Sequence, residues 1–211
     1  MLITLLTLLA LVSAILCIRA EESAGPRRSV YIFKPLTIAW IILVALQEKN
    51  PGSPVYKNLI IVGLLCSLVG DIFLMLPSDL FIPGLLSFLV AHLFYIAAFA
   101  SGAPRLALLW YALPFLLYGG LMLWLLFPHL GRMKLPVLIY MLVILTMAWQ
   151  ALVRWRETGE AGSKLAFFGA LLFTASDSIL ALNRFRGRIR HGEFYVLSTY
   201  FTAQWLIALS V

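Results

Sequence analysis

Charged residues are scarce in this sequence. Of its 211 residues, 12% are Asp, Glu, Lys or Arg, whereas 63% are hydrophobic. A water-soluble domain of this length needs a much more polar surface than these residues can supply. The composition therefore excludes an ordinary soluble enzyme or binding module and predicts an integral membrane protein.

Cysteine and histidine are also rare, with two and three residues respectively. Cys17 and Cys66 lie in apolar runs at no metal-like spacing, and only His92 among the histidines lies inside an apolar segment. A zinc hydrolase needs three or more converging ligands, so a metal site is not expected unless carboxylates replace histidines. The sequence also lacks the G-x-S-x-G, H-E-x-x-H and G-x-x-x-x-G-K-[ST] motifs, which argues against the common serine hydrolases, metalloproteases and P-loop enzymes.

Basic residues outnumber acidic ones, 16 to 9, which gives a net charge of +7. They lie mostly in short connections between apolar runs, where the positive-inside rule accounts for them, so no nucleic-acid partner is expected. Ten of the sixteen fall on one face of the predicted membrane domain and six on the other. This bias favours the ten-charge face as cytoplasmic and both termini as outside.

Eight apolar runs approach the roughly 20 residues that a helix needs to cross a bilayer. They cover residues 1–18, 31–47, 57–76, 80–100, 105–127, 134–153, 164–183 and 194–211. The sequence therefore predicts an all-α polytopic integral membrane protein, with residues 1–211 as a single transmembrane domain, a bundle of eight transmembrane helices. The first run resembles a signal peptide, but it lacks a basic n-region and a clean cleavage site, so we expect a retained helix.

Two aspartates lie inside these apolar runs. Asp71 is in the third run and precedes Pro77 by six residues; Asp177 is in the seventh and precedes Asn183 by six. Both runs enter the membrane from the same face, so both carboxylates are predicted to lie about 9 Å below that face. Ionisable groups inside a membrane are costly and usually functional, which favours one shared cavity. The alternative is that each carboxylate is separately paired with a backbone or lysine group.

Other polar residues are predicted to reach the same half of the membrane. Lys34 precedes Pro35 at an expected helix start, and His92, near the bilayer centre, is a candidate for the cavity floor. The candidate substrate-binding residues are Lys34, His92, Tyr95, Asn183, Arg184, Tyr200 and Gln204. Each has a structural alternative, such as a lysine that snorkels to the interface, a hydrogen-bonded core histidine or an interfacial aromatic residue.

Two carboxylates in one membrane cavity allow two kinds of function. If burial and proximity make the two pKa values differ, one carboxyl group stays protonated and the other is ionised. The pair then provides a general acid and a general base for hydrolysis within the membrane. The same pair also suits a proton- or cation-coupled transporter, or a lipid-binding membrane protein. An intramembrane aspartyl protease fits poorly, because Leu68 stands where its G-x-G-D motif requires glycine.

Five segments, in order along the chain, resemble the YhhN-like lysoplasmalogenases, a family of small eight-span membrane proteins. They are FKPLT, GLLCSLVGDIFLMLP, FLVAHLFY, GALLFTASDSILALNRF and STYFTAQWLIALS. The resemblance implies hydrolysis of the vinyl ether bond of lysoplasmalogens, which releases a fatty aldehyde and glycerophosphocholine or glycerophosphoethanolamine. It also implies that Asp71 and Asp177 are the catalytic pair.

Vinyl ethers are stable to base and cleaved by acid, so the implied reaction agrees with a carboxylic acid and a carboxylate in one site. The polar neighbours Ser176 and Asn183 favour Asp177 as the base, which leaves Asp71 as the acid. No metal or cofactor is expected. The predicted partners are membrane lipids and a lysophospholipid with an alkenyl chain, whose head group would lie near Lys34 and residues 184–190. A bacterial inner membrane is the expected location, and the oligomeric state is left open.

Overall fold

The computed structural model describes residues 1–23, 27–47, 52–101 and 109–211. These residues form eight α-helices and no strand. The helices are α1 (Leu2–Glu22), α2 (Arg28–Gln47), α3 (Pro54–Met75), α4 (Phe81–Ala100), α5 (Leu113–Leu126), α6 (Lys134–Thr158), α7 (Ala161–Ala181) and α8 (Gly192–Ala208). Seven of the described helical segments are long and apolar enough to cross a membrane, while α8, with 17 residues, is shorter. The chain is thus an all-α, multi-pass integral membrane protein.

Several helices begin and end at residues that are common at helix caps. Ser53 caps α3 by accepting a hydrogen bond from the Tyr56 N–H group, and Pro54 occupies the first helical position, where its missing N–H group costs nothing. Gly159 ends α6 in the left-handed conformation, with φ of 65°. A single π-helical turn, Leu182–Arg186, extends α7. Turns of this kind are frequent at functional sites.

Most consecutive helices pack against each other, most extensively α1 with α2, α3 with α4 and α7 with α8. Further contacts of α4 and α7 with α6, and of α1 with α8, close the bundle. Glycine allows close approach at two of these contacts. A Cβ atom at Gly63 would come within 2.3 Å of the Tyr95 ring, and one at Gly169 within 2.8 Å of the Ile207 side chain. Small residues serve this purpose in membrane helix packing.

The expected position of Pro35 is wrong. The sequence placed it at a helix start, but α2 begins at Arg28 and Pro35 lies inside the helix. Because proline has no N–H group, the Tyr31 carbonyl loses its usual helical partner there. The longer helix carries Lys34 six residues past its first residue, about 9 Å into the bundle.

Candidate active site

A polar cavity of about 440 Å³ opens at the end of the bundle formed by the α1–α2, α3–α4, α5–α6 and α7–α8 connections, which we call the mouth end. Both Asp71 and Asp177 line it. Four of the predicted substrate-binding residues also line it: Lys34, Asn183, Arg184 and Tyr200. Helices from both halves of the chain therefore bring the two carboxylates and basic side chains to one cavity.

Asp71 is almost completely buried, with 1% of its surface exposed, and both of its carboxylate oxygens have partners. The Lys34 Nζ atom lies 3.1 Å from Oδ1. The Tyr200 hydroxyl donates a 2.6 Å hydrogen bond to Oδ2. A buried ion pair needs this additional hydrogen bonding to compensate for the loss of water. The ammonium and the hydroxyl donor together favour an ionised carboxylate at Asp71.

The partners of Asp71 continue into a chain of hydrogen bonds across the bundle core. The Tyr95 hydroxyl donates to Gln204 Oε1 at 2.8 Å, and Gln204 Nε2 donates to the Tyr200 hydroxyl oxygen at 3.1 Å. Every donor points toward Asp71, so each bond polarises the next in the same direction. Neither Tyr95 nor Gln204 lines the cavity; both lie behind Tyr200 and fix its position.

Asp177 has a different setting. It is half-buried, and the Tyr140 hydroxyl donates a hydrogen bond to its Oδ2 atom. Among the described side chains, no lysine, arginine or histidine forms an ion pair with it. Tyr140 lies six residues past the start of α6, about 9 Å into the bundle and close to the depth predicted for both aspartates. The protonated form of Asp177 is therefore more favourable than it would be beside a cation.

An apolar groove adjoins the polar cavity, between α4, α5, α6 and α7. Its lining is almost entirely aliphatic and aromatic and includes Met122, Leu126, Val137, Met141, Ile144 and Leu145. Five residues line both the groove and the cavity: Leu74, Phe81, Phe88, Asp177 and Leu180. Asp177 is the only ionisable residue among these five. Its carboxyl group therefore lies at the boundary between the polar cavity and the apolar groove.

The mouth of the cavity carries charges of both signs. Arg184 forms a 2.6 Å ion pair with Asp79, and its guanidinium lies 5.0 Å from the centre of the Phe81 ring. The Asn183 side chain accepts a hydrogen bond from the Ile189 N–H group and donates one to Glu193. Further charged residues at the lining are Glu21, Arg27, Arg188 and Glu193. This mixture suits a ligand head group that itself carries both a phosphate and an ammonium group.

The polar neighbours that favoured Asp177 as the base form their hydrogen bonds elsewhere. The Ser176 hydroxyl donates to the Val196 carbonyl at 3.0 Å, and Asn183 is engaged with the α7–α8 connection. The sequence missed the actual partner, Tyr140. A tyrosine six residues inside an apolar helix, rather than at the interface, was the signal that could have identified it.

His92 is fully buried but lines neither the cavity nor the groove. Its ring packs edge-on against Phe173 and Tyr140, with centroids 4.7 and 5.3 Å apart, and neither ring nitrogen has a hydrogen-bond partner in the described part of the chain. It therefore lies behind Tyr140 instead of forming the cavity floor. Within the four described ranges, no group of three or more His, Cys, Asp or Glu side chains could hold a metal ion.

Comparison with known proteins identifies relatives across mammals and bacteria. The chain is 43% identical to lysoplasmalogenase TMEM86B of Sus scrofa over 81% of this chain and 70% of the relative. It is 39% identical to lysoplasmalogenase TMEM86B of Homo sapiens over 74% of this chain and 64% of that protein. An uncharacterized membrane protein YhhN of Escherichia coli O6:H1 is 30% identical, over 89% of both chains. No solved structure matches the chain.

The model of the YhhN family matches residues 29–211, which include α2 to α8 and every residue of the cavity described above except Glu21 and Arg27. The matched region holds both aspartates, Lys34, Tyr140 and Tyr200. On this match and on its identity to the relatives above, the chain belongs to the YhhN family.

Proposed function

We propose that this protein hydrolyses the vinyl ether bond of lysoplasmalogens inside the membrane, with Asp71 and Asp177 as its acid–base pair. The proposed activity is based on sequence similarity, because relatives about 40% identical over most of this chain are named lysoplasmalogenases. The substrate class is a lysophospholipid within a membrane. The assignment of roles to the two aspartates rests on the geometry of the cavity.

The observation that carries the proposal is the position of Asp177 between the polar cavity and the apolar groove. A lysophospholipid has one polar head and one hydrocarbon chain, so its head belongs in the cavity and its chain in the groove. The vinyl ether bond lies at the junction of these two parts of the lipid. A lipid placed this way presents that bond to the Asp177 carboxyl group.

The surroundings favour Asp177 as the acid and Asp71 as the base, which reverses the preference drawn from the sequence. Asp71 is held ionised by Lys34 and by the Tyr200 hydroxyl, so it can accept a proton from water. Asp177 has no cationic partner among the described side chains and lies against apolar walls, which favours the protonated form that an acid needs. The Tyr140 hydroxyl bonds one Asp177 oxygen and leaves the other for the substrate.

The proposed reaction conserves protons over one cycle. Asp177 protonates the β-carbon of the vinyl ether, which produces an oxocarbenium ion and an Asp177 carboxylate. Water then adds to the cationic carbon and passes a proton to Asp71, which produces a hemiacetal. The Asp177 carboxylate removes the hemiacetal hydroxyl proton while Asp71 protonates the departing ether oxygen. The carbon–oxygen bond breaks to give an aldehyde and a glycerophospho-alcohol, and both aspartates return to their initial states.

The basic residues at the mouth suit the phosphate of the head group. Arg27 and Arg188 line the cavity near its mouth, whereas Lys34 lies deeper and is paired with Asp71. Guanidinium groups bind phosphate through paired hydrogen bonds, so the arginines are the proposed head-group ligands. Location in a bacterial inner membrane stays a prediction that the Escherichia coli relative supports.

The direct test is aldehyde release by the purified protein from a lysoplasmenyl lipid in detergent micelles. We expect release by the wild type, and loss of release in both Asp71→Asn and Asp177→Asn. Asp79→Asn is the matched control, because Asp79 lines the same cavity but is exposed and lies at the mouth. Full activity in either variant of the proposed pair would contradict the acid–base mechanism. Proton-coupled lipid flux in liposomes without any aldehyde release would instead favour a transporter.

A further inference from the structure

The apolar groove has a closed inner end. On α6, the lining residues run from Val137 to Leu145, a distance of about 12 Å along the helix axis. Leu145 lies five residues beyond Tyr140, about 7.5 Å deeper than the residue that binds Asp177. Thr174, three residues deeper than Asp177 along α7, also lines the groove.

Gly119 explains how the groove is closed at this depth. A Cβ atom at Gly119 would lie 2.5 Å from the Leu145 Cδ1 atom, so the leucine side chain packs directly on the backbone of α5. Leu145 is 7% exposed and belongs to the buried core of the bundle. The α5–α6 contact at this pair therefore forms an apolar wall across the inner end of the groove.

The Tyr118 hydroxyl joins two walls of the groove at the level of Asp177. It donates a 2.7 Å hydrogen bond to the Ser178 hydroxyl, which links α5 to α7 one residue after Asp177. Along α6, the groove thus extends from Val137 past Tyr140, which binds the proposed catalytic carboxyl group, to Leu145. Its length is fixed by residues that do not take part in the chemistry.

We propose that this groove holds the hydrocarbon chain of the substrate and that Leu145 limits the length of chain the enzyme accepts. The proposal rests on the proposed function, since it assigns the chain of the same lipid whose vinyl ether lies at Asp177. The occupant is a single unbranched hydrocarbon chain. Three features support it: the apolar lining, the continuity with the cavity through five shared residues, and the direction of the groove from the mouth end toward the bilayer centre.

The test is a competition between lysoplasmenyl lipids of graded alkenyl chain length in the same micelles. Competition gives the ratio of kcat/KM values, which does not depend on the fraction of active protein. Leu145→Ala lengthens the groove, and we expect the ratio of long-chain to short-chain turnover to rise about tenfold, the lower effect of a methylene-sized change in an apolar pocket. Met141→Trp fills the groove, and the same ratio should fall.

Matched controls come from the next residue of α6. Leu142 lies outside the groove and is 52% exposed on the outer surface of the bundle, where the lipid lies, so Leu142→Ala and Leu142→Trp change side-chain size without changing the groove. Both controls should keep the wild-type chain-length profile. An unchanged profile in both Leu145→Ala and Met141→Trp, with normal aldehyde release, would overturn the groove proposal alone.

A second measurement does not require turnover. Acyl lysophospholipids of graded chain length should raise the thermal unfolding midpoint of the wild type up to a certain length and no further, because a ligand stabilises only the state it binds. Leu145→Ala should move this limit to longer chains. If wild-type protein released no aldehyde but showed this limit, the proposed function would fail and the groove proposal would stand. Absence of any limit in wild type and variant would overturn it.

Discussion

The two aspartates of this protein share a residue type, a cavity and a similar depth, but differ in what surrounds them. Asp71 has a partner for each carboxylate oxygen and 1% exposure, whereas Asp177 is half-buried and has one side-chain hydrogen bond, from Tyr140. The cation beside Asp71 favours the ionised form from which a base starts, whereas a single neutral donor allows Asp177 to start protonated, as an acid. The neighbours of each aspartate, not its position along the helix, therefore decide its proposed chemical role.

The largest expected effect is a loss of activity, without a loss of stability, when Asp177 is replaced. Asp177→Asn should lower kcat by about 10²–10⁴-fold, the usual contribution of a general acid. The unfolding free energy of this variant should change little, because Asp177 forms no ion pair within the described part of the chain. Steady-state aldehyde release and thermal unfolding of the same preparation measure both quantities. A large loss of stability with unchanged kcat would contradict the role of Asp177 as the acid.

A variant at Lys34 tests whether the stability of the protein depends on a counterion for the buried Asp71 carboxylate. Lys34→Met leaves the buried Asp71 carboxylate without its counterion, and breaking a buried pair from one side costs about 3–5 kcal/mol. The double variant Lys34→Met/Asp71→Asn should recover much of this loss, since it removes the uncompensated charge. Unfolding in detergent micelles completes the double-mutant cycle. A double variant as unstable as the sum of the single variants would contradict the ion-pair account.

The two tyrosine donors offer a closer comparison. Tyr200→Phe removes one hydrogen bond from Asp71 and another from Gln204 in the buried core, with an expected cost of about 1–3 kcal/mol in unfolding free energy. Tyr140→Phe should cost less, because the half-buried Asp177 oxygen can turn to the cavity. It should instead lower kcat by freeing the carboxyl group to rotate. Equal losses of unfolding free energy in the two variants would contradict the expectation that the hydrogen bond to Asp71 contributes more to stability than the one to Asp177.

The smallest effect is expected at the mouth, where an exposed ion pair contrasts with the buried one. The Arg184 and Asp79 side chains are 45% and 69% exposed, so Asp79→Ala should change the unfolding free energy by less than about 1 kcal/mol. This change should shrink further in high salt, because salt screens exposed charges. Denaturant unfolding at low and high ionic strength measures it. A loss of unfolding free energy as large as that of Lys34→Met would contradict the expectation that the exposed ion pair contributes less than the buried one.

The sequence was sufficient to predict the all-α membrane fold, because apolar composition and loop charges depend on local residues alone. It also placed Asp71 and Asp177 at one depth, since helical rise is uniform. It allowed a lysine partner for each carboxylate as an alternative but did not specify the Lys34–Asp71 pair. Because proline is common at helix starts, Pro35 left Lys34 equally suited to the interface and to the site. The sequence missed Tyr140 and the groove for a related reason. Contacts between helices depend on how each helix is rotated about its axis, and a helix that is apolar all round leaves that rotation unspecified.

The Tyr200–Asp71 hydrogen bond has a consequence for the order in which the site can be assembled. It joins residues 129 positions apart, whereas Lys34 and Asp71 lie on neighbouring helices near the start of the chain. Domains form from the N-terminal side during synthesis, so the ion pair can form as soon as α2 and α3 have entered the membrane. Among the described helices, α8 is made after all the others. Until it has entered the membrane, the cavity lacks one wall and Asp71 lacks its second side-chain partner.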